Sequence, residues 1–375
     1  MFRRIEQVLG LILLTGVATR TARSQQPVSY PLADQADAVV VGQVQSGVQT
    51  GNALSFAVSV VRALKGGSEP GSTLSVVGIT SASTNRNLAG VYGMFFLAKA
   101  TANQWTLLPV AQGRSLGFEA ASYQIPKTSS PVSIVTTPPA TSTDDLIAVE
   151  LAAGIGAYSG SQNYDLFQME TGLMAAPDSA VTKTLFQTVR TGTQPELRFL
   201  ALARAMKAGD PTALGEVASN AAVLPQLLAR HFVSLAIAGQ GFSASPELVA
   251  PLSVIAGCAD PSLQVSAADA LMSIHTQATL PALASLLSSA DPQTRELAMK
   301  GLSRFVDNLP SATRQNVINL KSIMPQGPAP YKTADTDRYS LSTRSLVNAP
   351  ESEAAYLQFW KSWWATMKNQ LAPGQ

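Results

Sequence analysis

Proton transfer and nucleophilic attack near neutral pH call first on histidine and cysteine. This chain of 375 residues has two histidines and one cysteine. His231 follows Arg230 on a stretch with helical spacing, and His275 ends an Ala/Leu-rich helix. Neither stands in a catalytic motif, so both are expected on a helix surface or at a junction between repeats. Cys258 follows Gly257 at a helix end and is expected to be a buried, unreactive thiol. Gly154-Ile155-Gly156 is too short for a dinucleotide fingerprint and follows no strand. No G-x-S-x-G elbow, H-E-x-x-H pair or P-loop occurs. Asp144-Asp145 opens a helix, where negative charge complements the helix dipole, so capping is preferred to a metal or acid–base role. Asp335 and Asp337 fall in a Pro/Thr/Tyr connector and are far short of a calcium loop. We therefore expect no catalytic, metal or cofactor-binding residues, and no enzyme activity.

Composition narrows the remaining classes. Lys and Arg number 26 against 24 Asp and Glu, a net charge of +2, which gives no general pull toward nucleic acid. Charged residues are 13% of the chain, about half the usual share of ~25%, so the chain is not a disordered polyelectrolyte. One cysteine excludes a disulfide framework and any zinc site that needs paired cysteines. The length suits two domains with terminal extensions.

Residues 1–24 read as a secretory signal. Arg3 and Arg4 precede the apolar run Val8–Ala18, and Ala22-Arg23-Ser24 offers small residues for cleavage after Ser24. The alternative is an uncleaved N-terminal anchor, although the apolar run is shorter than the ~20 residues that span a bilayer. No later segment is a membrane-span candidate, so the mature chain is expected in the periplasm or outside the cell. A single thiol suits such an oxidising compartment.

Residues 30–126 read as β. Ala38–Val44 is a β-branched run, and Leu54, Phe56, Val58 and Val60 alternate with small residues. Leu74–Ile79, Val91–Ala98 and Trp105–Val110 add strands, with Gly117–Ile125 a candidate sixth, and Gly/Pro turns separate them. A small barrel or sandwich is expected. The run Ala36–Val44, the stretch Val61-Arg62-Ala63-Leu64-Lys65-Gly66, Pro70-Gly71-Ser72 and the strand near Tyr92–Leu97 together resemble the OB-type barrel of netrin and metalloproteinase-inhibitor modules. In those modules inhibition uses an N-terminal cysteine. This domain has none, so inhibitory activity does not carry over. Such barrels often bind oligomers in a groove. With few cationic or aromatic residues on these strands, the resemblance implies a structural or partner-binding barrel rather than a nucleic-acid binder.

Residues 127–143 are rich in Pro, Ser and Thr and read as an extended linker. From Asp144 to about 310 the spacing is helical. Asp260-Pro261-Ser262-Leu263 leads into Ala267, Ala268, Ala270, Leu271 and Ile274, and Leu280-Pro281-Ala282-Leu283 follows. The motif restarts at Asp291-Pro292. Each Asp can cap a helix whose first residue is Pro, where the missing N–H costs nothing. Looser copies start at Pro195-Glu196-Leu197-Arg198, Asp210-Pro211, Pro225 and Ser245-Pro246, and Asp144–Tyr158 and Asp178–Gly192 read as leading helices. The spacing of paired helices is that of a solenoid. The pattern D-P-x-[LT]-[QR]-x-x-A with L-P-A-L-x-x-L-L resembles HEAT repeats, and Arg198 and Arg295 stand where such repeats often carry an arginine. The resemblance implies that they bridge neighbouring repeats, with a ligand role as the lesser alternative.

After an irregular connector, 311–350, residues 351–371 place Tyr356, Phe359, Trp360, Trp363 and Trp364 on one stripe of a helix. Two readings stand: a helix that seals the end of the array, or a helix that docks a partner. The expected fold class is a small β-barrel or sandwich followed by a HEAT-like α-α solenoid. The expected function is an exported, non-enzymatic scaffold of the cell envelope that binds a protein partner on its helical surface. The alternative is a regulator or inhibitor of an exported enzyme acting through the β domain.

Overall fold

The structure, a computed structural model, describes residues 31–79, 85–108, 122–124, 139–159, 163–239, 246–305 and 350–371. The expected signal at 1–24, residues 127–138 of the linker, and the connector with Asp335 and Asp337 lie outside the described residues.

After a short helix α1 (Pro31–Gln35), the chain forms β1 (Ala38–Thr50), β2 (Ala53–Lys65), β3 (Thr73–Ile79), β4 (Arg86–Asn87), β5 (Tyr92–Thr101), β6 (Gln104–Leu107) and β7 (Ser122–Gln124). Five strands close on themselves in the order β1-β2-β3-β6-β5-β1, with β3 and β6 parallel and the other pairs antiparallel. The short β4 and β7 pair with β1 and β5. Closure leaves the five strands no free long edge. β1 bends to serve several neighbours, with register shifts after Val39, Val41 and Val44. At Gly47 the strands approach so closely that a Cβ would sit 2.2 Å from the Phe56 Cβ.

The apolar run that opens β1 has a physical cause. Ala38 and Val40 point into the barrel with Phe56, Val58, Phe95 and Leu97. Val39 and Val41 point out, with Met94 and Phe96 of β5, into a second core made by the helices. A strand buried on both faces has no reason to alternate, whereas β2, half-covered, does.

The helices are α2 (Thr143–Gly156), α3 (Asn163–Met174), α4 (Ala180–Arg190), α5 (Pro195–Lys207), α6 (Pro211–Ser219), α7 (Arg230–Gly239), α8 (Val249–Ala256), α9 (Pro261–Ile274), α10 (Leu280–Leu286), α11 (Pro292–Ser303) and α12 (Pro350–Leu371). They pack as two rows. In one row α5 packs on α7, α7 on α9 and α9 on α11; in the other α6 packs on α8 and α8 on α10. α12 lies against α10 and α11. Asp210, Asp260 and Asp291 accept from the first free N–H groups of α6, α9 and α11, each followed by Pro. Gly301 on α11 admits the Leu283 side chain of α10, since a Cβ there would lie 2.8 Å from it.

Two details differ from the sequence expectation. The segment starting at Pro225 forms a 3-10 turn, Leu224–Gln226, then Leu227 is extended, so helix α7 begins only at Arg230. Helix α3 was not foreseen; it buries Leu166, Met169 and Leu173 against α2 and α5 and touches β7.

The barrel is fixed to the helices by more than apolar contact. Arg62 of β2 and Glu150 of α2 form a two-pronged pair, Nε–Oε1 2.6 Å and Nη2–Oε2 2.7 Å. Such forked pairing fixes orientation as well as distance.

Candidate functional site

The residues singled out for chemistry have packing roles. His231 packs in a cluster with Phe167 and Phe232, its ring centroid 5.6 Å from each and theirs 5.8 Å apart. Burial, with the neighbouring Arg230 charge, pushes its pKa below the ordinary histidine value, so it is neutral at pH 7. His275 caps α9 in the left-handed region, φ 47°, and packs edge-on to Phe305 at 4.6 Å. Burial pushes the Cys258 thiol up, away from thiolate chemistry. Gly154, Ile155 and Gly156 lie within helix α2, where a Cβ on Gly156 would meet Leu197. Among the described residues no three His, Cys, Asp or Glu side chains gather in a way that could hold a metal ion.

Asp145 joins two helix starts. Its carboxylate accepts from the Ser142 hydroxyl at 2.7 Å and the Ser179 hydroxyl at 2.5 Å, and these serines cap α2 and α4. Arg295 donates to the Ser289 and Ala290 carbonyls of its own loop, and Arg198 reaches Asn220 at 3.5 Å. Two of the cap aspartates are met by arginines of other helices. Arg230 reaches Asp260 at 2.7 Å, and Arg190 reaches Asp210 at 2.6 Å while also gripping Glu216. The Thr212 hydroxyl and Arg190 together hold the Asp210 carboxyl below its usual range.

On α12, Phe359, Trp360 and Trp363 are buried and Trp364 is half-buried, so the rings that define the stripe face α10 and α11. The Tyr356 side chain lies outside what the structure describes.

A concave feature of about 880 Å³ opens elsewhere, between α4, α5 and the turn that precedes α4. Lys183, Phe186, Gln187 and Arg190 line it from α4, and Ala201, Arg204, Ala205 and Ala208 from α5, with Lys207 beside them. Both sets follow the i, i+3, i+4, i+7 spacing of one helix face. The alanines leave the space that larger side chains would fill. The volume lies within the range of ligand sites, roughly 300–1,000 Å³. The Arg204 guanidinium carbon lies over the Phe186 ring, 4.5 Å from its centroid, and one of its nitrogens reaches Asp178 at 2.5 Å.

A second unexpected feature is buried. Glu170 of α3 is fully shielded from solvent and neither of its oxygens meets a hydrogen-bond partner among the described residues. Burial and the nearby Glu196 carboxylate push its pKa up to about 10, with Arg230 opposing. Glu196 itself accepts from the Leu228 and Ala229 N–H groups at 3.1 and 2.9 Å, ahead of α7. Glu170 is therefore a neutral acid at pH 7, locked in packing.

No known family model matches the sequence, and no curated protein is similar enough to count as a relative.

Proposed function

We propose that the protein is an exported, non-enzymatic scaffold that binds a protein partner on its helical surface. The observation that carries this reading is the open groove on α4 and α5, of about 880 Å³, on a helical array joined to the barrel by the Arg62–Glu150 pair. Two packed rows of helices, with Asp-Pro starts at Asp210, Asp260 and Asp291, support reading the array as a HEAT-like solenoid. The strand order β1-β2-β3-β6-β5-β1, with β3 parallel to β6, supports an OB-type barrel. His231, His275 and Cys258 are each occupied in packing or capping, which favours a binding role over a catalytic one. Export rests on the sequence of residues 1–24.

One observation favours the second reading, a regulator acting through the barrel. Val48 and Ile79 are 56% and 76% exposed at the end of the barrel near the β1–β2 turn. Two surface variants of the full chain separate the readings: Lys183→Glu/Lys207→Glu in the groove and Ile79→Lys on the barrel. A cross-linked pull-down from envelope extract identifies a partner, and its binding is then repeated with pure components. The scaffold reading expects loss of that partner with the groove variant and retention with Ile79→Lys. The opposite pattern favours the barrel, and a reproducible hydrolytic activity of the pure protein overturns both.

A further inference from the structure

We infer that the groove between α4 and α5 receives an acidic peptide segment of the partner, an inference that rests on the scaffold reading above. Four cationic side chains line it, Lys183, Arg190, Arg204 and Lys207, against two carboxylates, Asp178 and Asp210. The cations are not equally engaged. Arg190 is saturated by Asp210, Glu216 and the Thr212 hydroxyl, and its work is to hold the start of α6. Arg204 is engaged on one side only. Its Nη2 meets Asp178, which is 75% exposed, while its Nη1 is buried and meets no acceptor among the described residues. Lys183 and Lys207 are exposed, and no ion pair holds either among the described residues.

The Arg204 side chain is 16% exposed and is held by Asp178, itself 75% exposed, so an incoming carboxylate engages the guanidinium by exchanging with Asp178. The guanidinium fork is shaped for a carboxylate. Its position is already held over the Phe186 ring, so little side-chain freedom is lost on binding. Two lysines flank it and supply unspent positive charge for further acidic groups. Apart from Gln187, the rest of the lining is apolar or small, with Phe186, Met174, Ala175, Ala201 and Ala205 among it. A lone inorganic anion would leave that apolar surface wet. Nucleic acid is less well served, because Phe186 is the one aromatic ring in the groove lining and no row of rings offers stacking. An extended peptide carrying Glu or Asp interspersed with small apolar residues uses both the charge and the apolar floor.

The test is fluorescence polarisation with the full chain and a short fluorescein-labelled peptide of alternating glutamate and leucine. Inorganic phosphate and a single-stranded oligonucleotide serve as competitors. The inference expects saturable binding that weakens with added salt. Arg204→Ala weakens it by about tenfold or more, the scale of a charged hydrogen bond, and Arg204→Lys restores only part. Because Arg204 also packs on Phe186, the decisive variant is Lys183→Glu/Lys207→Glu, whose sites are exposed and whose fold is checked by circular dichroism. Abolished binding in that folded variant supports the inference. Unchanged binding overturns it, as does displacement of the peptide by phosphate or oligonucleotide at concentrations below that of unlabelled peptide. If no peptide binds while a partner is still captured and kept by Lys183→Glu/Lys207→Glu, this inference fails and the scaffold reading stands. If the peptide binds and the extract yields no partner, the groove stands and the scaffold reading fails.

Discussion

Glu170 offers a sharp test of the packing. It is a carboxylic acid on α3 with no exposure, faced by the Glu196 carboxylate from α5 and by the Arg230 charge from α7. Its folded pKa of about 10 stands far above the ordinary 4.5. Folding therefore takes up a proton at every pH between those values. The sign follows: stability is undiminished below about pH 4.5, and it falls as pH rises toward 10, where the folded protein ionises too. Each pH unit in the window costs about 1.4 kcal/mol, so the loss at pH 7 is about 3 kcal/mol, a large part of a typical 5–15 kcal/mol. Glu170→Gln keeps the shape, removes the titration, and gives an amide that can donate toward Glu196. The variant is expected to match the wild type at pH 4 and to exceed it by about 3 kcal/mol at pH 7, with a wider gap at pH 9. Urea unfolding followed by circular dichroism at the three pH values reads this as a midpoint shift of about 1 M at pH 7. Equal midpoints at pH 7 and pH 9, or a less stable variant, would refute the neutral, buried acid and the α3–α5 packing that makes it so.

Three further outcomes follow from the same structure. Arg62→Ala leaves Glu150, whose side chain is only 14% exposed, without its partner at the barrel–helix junction; urea unfolding should show a loss of about 2 kcal/mol, and limited proteolysis should cut earlier near residue 140. Gly47→Ala drives a methyl into the β1–β2 contact, and thermal unfolding should show a loss of about 1–3 kcal/mol, whereas Gly90→Ala, with open space around it, should cost only its positive φ, about 1 kcal/mol. Trp360→Ala, fully buried, should cost about 3–5 kcal/mol in a urea titration, and the half-buried Trp364→Ala much less; equal costs would mean that α12 does not seal α10 and α11 as described.

What was legible in the sequence is what local chemistry decides. The Asp-Pro caps at 210, 260 and 291 could be read because a cap is settled within a few residues. The strands β1, β2, β3 and β5 could be read from β-branched runs and alternation. Helix α3 escaped because Asn163–Met174 carries polar and Gly residues, although Leu166, Met169 and Leu173 kept the helical spacing. The late start of α7 escaped because a 3-10 turn at Leu224–Gln226 and a proline-led helix share the same opening residues. The groove was not legible at all. Arg204, Phe186 and Asp178 meet only because α4 and α5 pack side by side, and no spacing within one helix announces that. The same holds for Glu170 beside Glu196, and for Arg190 and Arg230 serving the cap aspartates Asp210 and Asp260.

A partner held in the α4–α5 groove is tested by lysine-directed cross-linking of the full chain in envelope extract, with the linked residues mapped by mass spectrometry. The two exposed groove lysines, Lys183 and Lys207, should carry the partner cross-links, to residues flanking an acidic segment. Partner cross-links confined to Lys65 and Lys99 of the barrel would contradict the claim and move the binding surface to the other domain.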